Sequence, residues 1–385
     1  MALLDFDAKK NPTKAYAGML GLAALLIVFP FFAAQFGNSW VRIIDMALLY
    51  IMLALGLNIV VGFAGLLDLG YIAFYAVGAY LTALLASPQF AILLESVVNQ
   101  YPVLGETLVQ LMGPEIRENG IHLSIWLIVP LAAFVAGLFG ALLGAPTLKL
   151  RGDYLAIVTL AFGEIIKEIV TCLIVGVDSR GLHVIFNITG NSTIDDLHLL
   201  EDGTAIIKGA QGASGVSTYS TFLAGAILVM VALVIVLNLV RSRTGRAIMA
   251  VRDNKIAAES VGISVTEYRM IAFVVSAALA GAAGALFGGN FSQLSATKFD
   301  FNTSILILVF VVLGGLGNMR GSVIAAALLT VLPELLRQFS DYRMLIYAIV
   351  LILVMIFTNN PQLKAFFGRV KDRFASKKEV AADAQ

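Results

Sequence analysis

The chain has 385 residues, 59% of them apolar or aromatic and only 13% charged, and its 26 Lys and Arg against 25 Asp and Glu leave a net charge of +1. Counted with Gly and without Tyr, the apolar share is roughly 65%, against roughly 45–50% apolar and 25% charged in ordinary globular domains, which excludes a soluble protein, a disordered chain and a disulfide scaffold. One cysteine, Cys172, and three scattered histidines, His122, His183 and His198, offer neither an intrachain disulfide nor a His-based metal cluster.

A helix needs roughly 20 mostly apolar residues to cross a bilayer core. The first such run is Tyr16–Gln35. Asp5 and Asp7 dilute the basic stretch before it and no clear A-x-A site follows, so it reads as a retained span and not as a cleaved signal. Further runs are Trp40–Val61, Leu66–Leu85, His122–Gly144, Tyr154–Val175, Ser220–Val240, Met270–Phe287, Ser304–Leu313, Ser322–Leu336 and Met344–Thr358. The expected architecture is therefore an all-α, polytopic transmembrane bundle of about ten spans over residues 16–358, some of them broken. Residues 1–15 precede it and a basic tail, 359–385, follows. The cluster GGLGNMRG (Gly314–Gly321) is open to reading as a loop or as a broken helix.

Ten spans put both termini on one side, and the distribution of Lys and Arg says which. Of the 26, 18 fall on the side of the termini, 7 on the other, and Lys167 lies within a span. Both termini are thus expected to be cytoplasmic. The two long outer loops, 87–121 and 176–219, carry nine acidic residues against three basic ones. The first, with Ile92, Leu93, Val97 and Val98, has the amphipathic look of a segment lying on the membrane surface.

No G-x-x-x-x-G-K-[ST] loop and no G-x-S-x-G nucleophile elbow occur, so the chain neither cradles a nucleotide in the P-loop manner nor displays a serine in the hydrolase manner. GALLG (Gly140–Gly144) and GALFG (Gly284–Gly288) read as small-residue packing motifs. The long inner loop, Arg241–Met270, is polar but punctuated by Ile248, Val251, Ile256 and Val261, and reads as a short amphipathic helix. It either lies at the lipid interface or fits a groove on a cytoplasmic partner, with Arg252, Asp253, Lys255 and Glu259 as a polar rim.

Polar groups inside spans are costly enough to be examined for function. Asp68, Tyr71 and Tyr75 stand at i, i+3 and i+7, the spacing of one helix face. Asp68 also follows the Gly62–Gly65 break, where a carboxylate caps a helix start, and a site on a broken helix allows both roles. Glu164 is spaced to pair with Lys167 at i+3 or to line a substrate path. Asn58 belongs to the same set of path candidates, and Asp45 and Glu334 are weaker. VVGFAG (Val60–Gly65) and VVLGGLG (Val311–Gly317) are Gly-interrupted segments in opposite halves, hinting at a pseudo-repeat.

AAESVG (Ala257–Gly262), about three helical turns after RSRTGRA, resembles the coupling-loop motif of ABC importer permeases. VGFAGLLDLGYIAFYAVGAY (Val61–Tyr80), LRGDYLAIVTLAFGEIIKEIV (Leu150–Val170), AFVVSAALAGAAGALFGG (Ala272–Gly289) and VVLGGLGNMRGSVIAAALL (Val311–Leu329) resemble, in the same order, the M-type subunit of the Liv permeases for branched-chain amino acids. The resemblance covers roughly residues 40–355. It implies a bacterial inner-membrane permease that forms its pore with a related H-type subunit, two cytoplasmic P-loop ATPases that hold the ATP and magnesium, and a periplasmic protein that delivers leucine, isoleucine or valine. On that reading the chain is not an enzyme and binds no cofactor, and Arg252, Asp253, Ala257, Ala258, Glu259 and Gly262 couple it to the ATPase. VDSRGLHVIFNITGN (Val177–Asn191), Lys298 and NPQL (Asn360–Leu363) depart from the family pattern. The rival reading is a proton-coupled secondary transporter in which Asp68, Glu164 or Glu168 carries the proton.

Overall fold

The computed structural model describes residues 38–86, 125–150, 152–178, 181–187, 194–198, 204–214, 222–291, 293–336 and 342–359. The run Tyr16–Gln35, the outer loop 87–121 and the tail beyond residue 359 lie outside them.

Each of the other nine apolar runs contains a helix. Helix α1 (Asn38–Asn58) passes into a π-helical turn, Ile59–Phe63. A non-helical stretch, residues 64–71, leads to α2 (Ile72–Leu85). Then come α3 (Ile125–Thr147), α4 (Asp153–Cys172) and α5 (Phe222–Arg241). Two short helices, α6 (Arg243–Asp253) and α7 (Lys255–Ser260), precede the long α8 (Val265–Asn290). The remainder is α9 (Phe301–Gly314), α10 (Met319–Leu335) and α11 (Arg343–Asn359).

By length and composition, five of the described helices suffice to cross a membrane: Trp40–Phe63, Ile125–Thr147, Phe222–Arg241, Val265–Asn290 and Ala296–Gly314. At about 1.5 Å per residue, the 14 residues of α2 reach only about 21 Å, so α2 needs the irregular stretch before it to span. Burial sorts the helices. The stretch containing α1 is 89% buried, whereas that of α3 is 39% buried and shows the surroundings Phe134 and Leu142. A water-soluble bundle would carry polar groups at such outward positions. Apolar residues there match lipid as the solvent.

Helices α2, α3 and α8 approach closely through glycine and alanine. A Cβ on Gly78 would run into the Gly281 carbonyl, and one on Gly284 into the Tyr75 carbonyl. A Cβ on Gly140 would meet the Ala277 methyl at 2.6 Å. GALLG and GALFG therefore serve as contact surfaces, where packing rather than hydrophobic transfer holds helices together.

One part of the chain departs from the all-α expectation. Helix α4 runs straight into β1 (Leu173–Asp178), which pairs antiparallel with β2 (Gly181–Phe186) from Leu173↔Phe186 to Asp178↔Gly181. Strands β3 (Thr204–Lys208), β4 (Ala213–Ser214) and β5 (Gln293–Leu294) complete a sheet of order β2-β1-β3-β4-β5. The segment 176–219, expected as a loop, thus carries strands, for which the β-branched Ile174, Val175, Val177, Val184 and Ile185 have the propensity. The chain divides into two compact units, residues 1–327 and 328–385. All the sites discussed below belong to the first.

Candidate functional site

Where α1 ends, its last turn widens: the Ala64 N–H donates to the Ile59 carbonyl and the Leu66 N–H to the Val60 carbonyl, both at 3.0 Å. Gly65 then takes a left-handed φ of +67°, which only glycine adopts freely. Irregular backbone at membrane depth survives only if its polar groups find partners in the protein. Three side chains supply them. The Leu69 N–H donates to Thr159 Oγ1 at 3.2 Å, Ser304 Oγ donates to the Leu69 carbonyl at 2.6 Å, and the Gly70 N–H donates to Asp68 Oδ1 at 2.9 Å.

Asp68 is buried and borders a small crevice of about 10 Å³, lined also by Thr147, Thr159, Phe162 and Phe273. It lies before α2, whose N-cap is Tyr71 with no side-chain cap. The expected single face of Asp68, Tyr71 and Tyr75 is therefore corrected, because helical periodicity does not extend back to residue 68. Nor is Asp68 the N-cap of α2; it closes a turn onto Gly70. The Tyr71 hydroxyl donates to the Ser276 carbonyl at 3.3 Å, and Ser276 Oγ donates to the Gly56 carbonyl at 2.7 Å, so this pair ties α2 to α8 and α8 to α1. The Tyr75 ring packs on Phe287 and Phe299, with centroids 5.4 and 5.2 Å away.

The Gly314–Gly321 stretch resolves into a turn between α9 and α10, with Gly315 and Gly317 at φ of +93° and +75°. Asn58 clips it to the end of α1. The Gly317 N–H donates to Asn58 Oδ1 at 2.9 Å, and Asn58 Nδ2 donates to Ser322 Oγ at 3.1 Å. Glu164 pairs with Lys167 at 3.0 Å. That pair forms as its spacing predicts, on a face of α4 that is open in this chain, the Glu164 side chain being 41% exposed.

The inner loop forms two helices instead of the single one expected, because Asn254 breaks it and restarts it as an N-cap, its Oδ1 accepting from the Ala257 N–H at 3.0 Å. Ser242 caps α6 by accepting from the Gly245 N–H at 3.1 Å. Helix α7 ends in a Schellman turn, with the Ile263 N–H on the Ala258 carbonyl (3.0 Å) and the Gly262 N–H on the Glu259 carbonyl (3.1 Å). Gly262 holds the required left-handed φ of +82°. Val251, Ala258 and Val265, with Ile263, form a small core beneath the pair. Outward stand Ile256, 79% exposed, and Val261, 73% exposed, beside Ala257 and Glu259. Arg252 and Asp253 lie at the end of α6, and Arg252 Nη1 donates to the Gly62 carbonyl at 2.8 Å.

Thr159, Ser276, Ser304 and Ser322 went unnoticed in the sequence. Their signal was there: isolated hydroxyls in apolar spans, where an unpaired polar group is expensive. Among the described residues no group of three His, Cys, Asp or Glu is placed to hold a metal ion.

A family model described as branched-chain amino acid transport system, permease component, matches residues 39–357. The chain belongs to this permease family. It is 35% identical to the high-affinity branched-chain amino acid transport system permease protein LivM of Salmonella typhimurium over 92% of its own length and 77% of the relative's. The Escherichia coli LivM is 34% identical over the same shares. A fructose import permease protein, FruG of Bifidobacterium longum, is 28% identical over 58% of this chain and 69% of the relative's. No solved structure matches the chain. This member of the permease family is thus a multi-pass, helical membrane protein with a transport role rather than an enzymatic one.

Proposed function

We propose that this permease is the M-type subunit of an ATP-driven importer of leucine, isoleucine and valine in a bacterial inner membrane, with both termini cytoplasmic. It builds the pore with a related H-type permease subunit. A periplasmic binding protein delivers the amino acid, and two cytoplasmic P-loop ATPases bind ATP and magnesium, so the chain itself needs no cofactor. The carrying observation is the α6–α7 pair, a capped and internally packed segment that nevertheless turns Ile256 and Val261 outward. Exposed apolar side chains on a rigid short helix suit helix-in-groove docking. Ala257 and Glu259 flank them, Ala258 and Gly262 hold the segment's shape, and Arg252 and Asp253 form its membrane-facing end.

The substrate path is assigned to Asp68 and its crevice, with Tyr71, Tyr75 and Asn58 behind it and Glu164 across the open face of α4. An amino acid keeps its ammonium group in a low-dielectric channel only where a carboxylate or a dipole's negative end meets it. A charged pair on an open face of a span is also poorly placed against lipid, which favours the second permease subunit as its neighbour.

The test is uptake of labelled leucine, isoleucine, valine and fructose by proteoliposomes holding the whole complex, with ATP inside. Amino-acid uptake that stops without ATP is expected. Fructose uptake would move this chain to sugar transport, and uptake driven by a proton gradient alone would replace the ATP-coupled reading. Ile256→Asp, at a side chain that is largely exposed, should release the ATPases on purification. Full retention would overturn the docking surface.

A further inference from the structure

We propose that Arg252 is a positioning residue that latches the coupling segment to the broken end of α1, transmitting movement of α6–α7 into the membrane rather than contacting the ATPase. The inference rests on the docking reading above for the source of that movement.

The last carbonyls of any helix lack intrahelical partners and form the negative end of its dipole. At the end of α1, Ala64 and Leu66 satisfy Ile59 and Val60. The next turn's Gly62 carbonyl accepts instead from Arg252 Nη1, across 190 residues of sequence. The rest of the guanidinium is already committed. Arg252 Nε and Nη2 donate to Asp253 Oδ1 at 3.0 and 2.8 Å. A rigid planar fork held along one edge presents its remaining nitrogen in a fixed direction. The aliphatic stem crosses Gly65 so closely that a Cβ there would lie 2.6 Å from Arg252 Cγ. Gly62 in turn touches the α9–α10 turn, since a Cβ on it would run into the Gly317 nitrogen that Asn58 holds.

One side chain of α6 therefore grips the point where three irregular pieces meet: the π turn, the Gly65 bend leading to Asp68, and the Gly315–Gly317 turn. Helix interiors resist displacement, whereas breaks absorb backbone rotation at low cost. A pull on Gly62 acts where the chain can yield.

The experiment uses the assembled complex in proteoliposomes, in a Cys172→Ser background with Leu67→Cys. Leu67 is exposed in the irregular stretch, so its reaction rate with a soluble maleimide reports on that stretch. In the parent, the rate should differ between the nucleotide-free complex and one holding a non-hydrolysable ATP analogue. Arg252→Ala should keep the ATPases bound, abolish that difference, and cut substrate moved per ATP hydrolysed by roughly tenfold, the size of one lost charge-assisted hydrogen bond. Arg252→Lys, which keeps the charge but not the fork, should restore part of both. A persisting nucleotide-dependent difference in Arg252→Ala overturns the latch, and so does loss of the ATPases, which would make Arg252 a docking residue. If Arg252→Ala does not assemble, Asp253→Ala decides: it leaves the arginine and frees two of its three bonds, so unchanged coupling overturns the proposal and reduced coupling with ATPases bound supports it. Failure of the docking reading would appear separately, as ATPases retained by Ile256→Asp.

Discussion

A Cβ on Gly70 would run into the Thr159 carbonyl, and neither backbone can step aside without losing the bond between the Leu69 N–H and Thr159. Overpacking of this kind costs roughly 1–3 kcal/mol. Gly70→Ala should accordingly lower the Tm of the purified complex by several degrees in a thermal unfolding scan; an unchanged Tm would show that α4 gives way. Asp68 separates structure from transport more finely. Asparagine keeps an acceptor for the Gly70 N–H, whereas leucine buries that donor unpaired, at about 1–3 kcal/mol. Asp68→Asn should assemble normally and import slowly, and Asp68→Leu should fail at both. Leucine uptake per folded complex is the measurement, and normal uptake by the asparagine variant would remove the carboxylate from the path.

Among the elements, α7 is the most exposed to a single substitution, because six residues are far too few to be stable alone. Its Schellman turn and the Val251–Ala258–Val265 core hold it in place of length. Gly262 has open space around it but a φ that a β-branched residue adopts only at a cost of roughly 1–2 kcal/mol. Gly262→Val should weaken ATPase binding, while Gly262→Asn, which tolerates that φ, should largely preserve it; equal loss in both would implicate the glycine's surface rather than its conformation. The helices around α7 were legible in the sequence because twenty apolar residues in a row admit few other fates. What composition did not reveal was where helices stop. The break before α2 depends on hydroxyls supplied by Thr159 and Ser304, some 90 and 235 residues away along the chain, and no local pattern records such partners. The same holds for Asn58, which reads as a polar residue in a span until its partners at Gly317 and Ser322 are in view. The sheet was hidden differently: β4 and β5 are two residues each, too short for alternation to register.

At the scale of the molecule, the proposed orientation, read from the uneven distribution of basic residues, puts α6–α7 in the cytoplasm and the sheet on the opposite side. Single cysteines at Ser260 and Val184 in the Cys172→Ser background should react with impermeant reagent from opposite faces of the membrane, and reaction from one face would overturn the span count between them. Helix α8 joins these two regions. It contributes Val265 to the core under α7, and three residues past its other end Gln293 and Leu294 pair with β4. Its 26 residues make a shaft of about 39 Å, unbroken whereas the path from α1 to α2 is interrupted by the π turn and the stretch 64–71. Turning one end of a stiff shaft turns the other. On the proposed coupling, a small displacement of the core under α7 is carried along α8 to the strand pair β4–β5, which thereby registers at one end of the shaft what happens at the other.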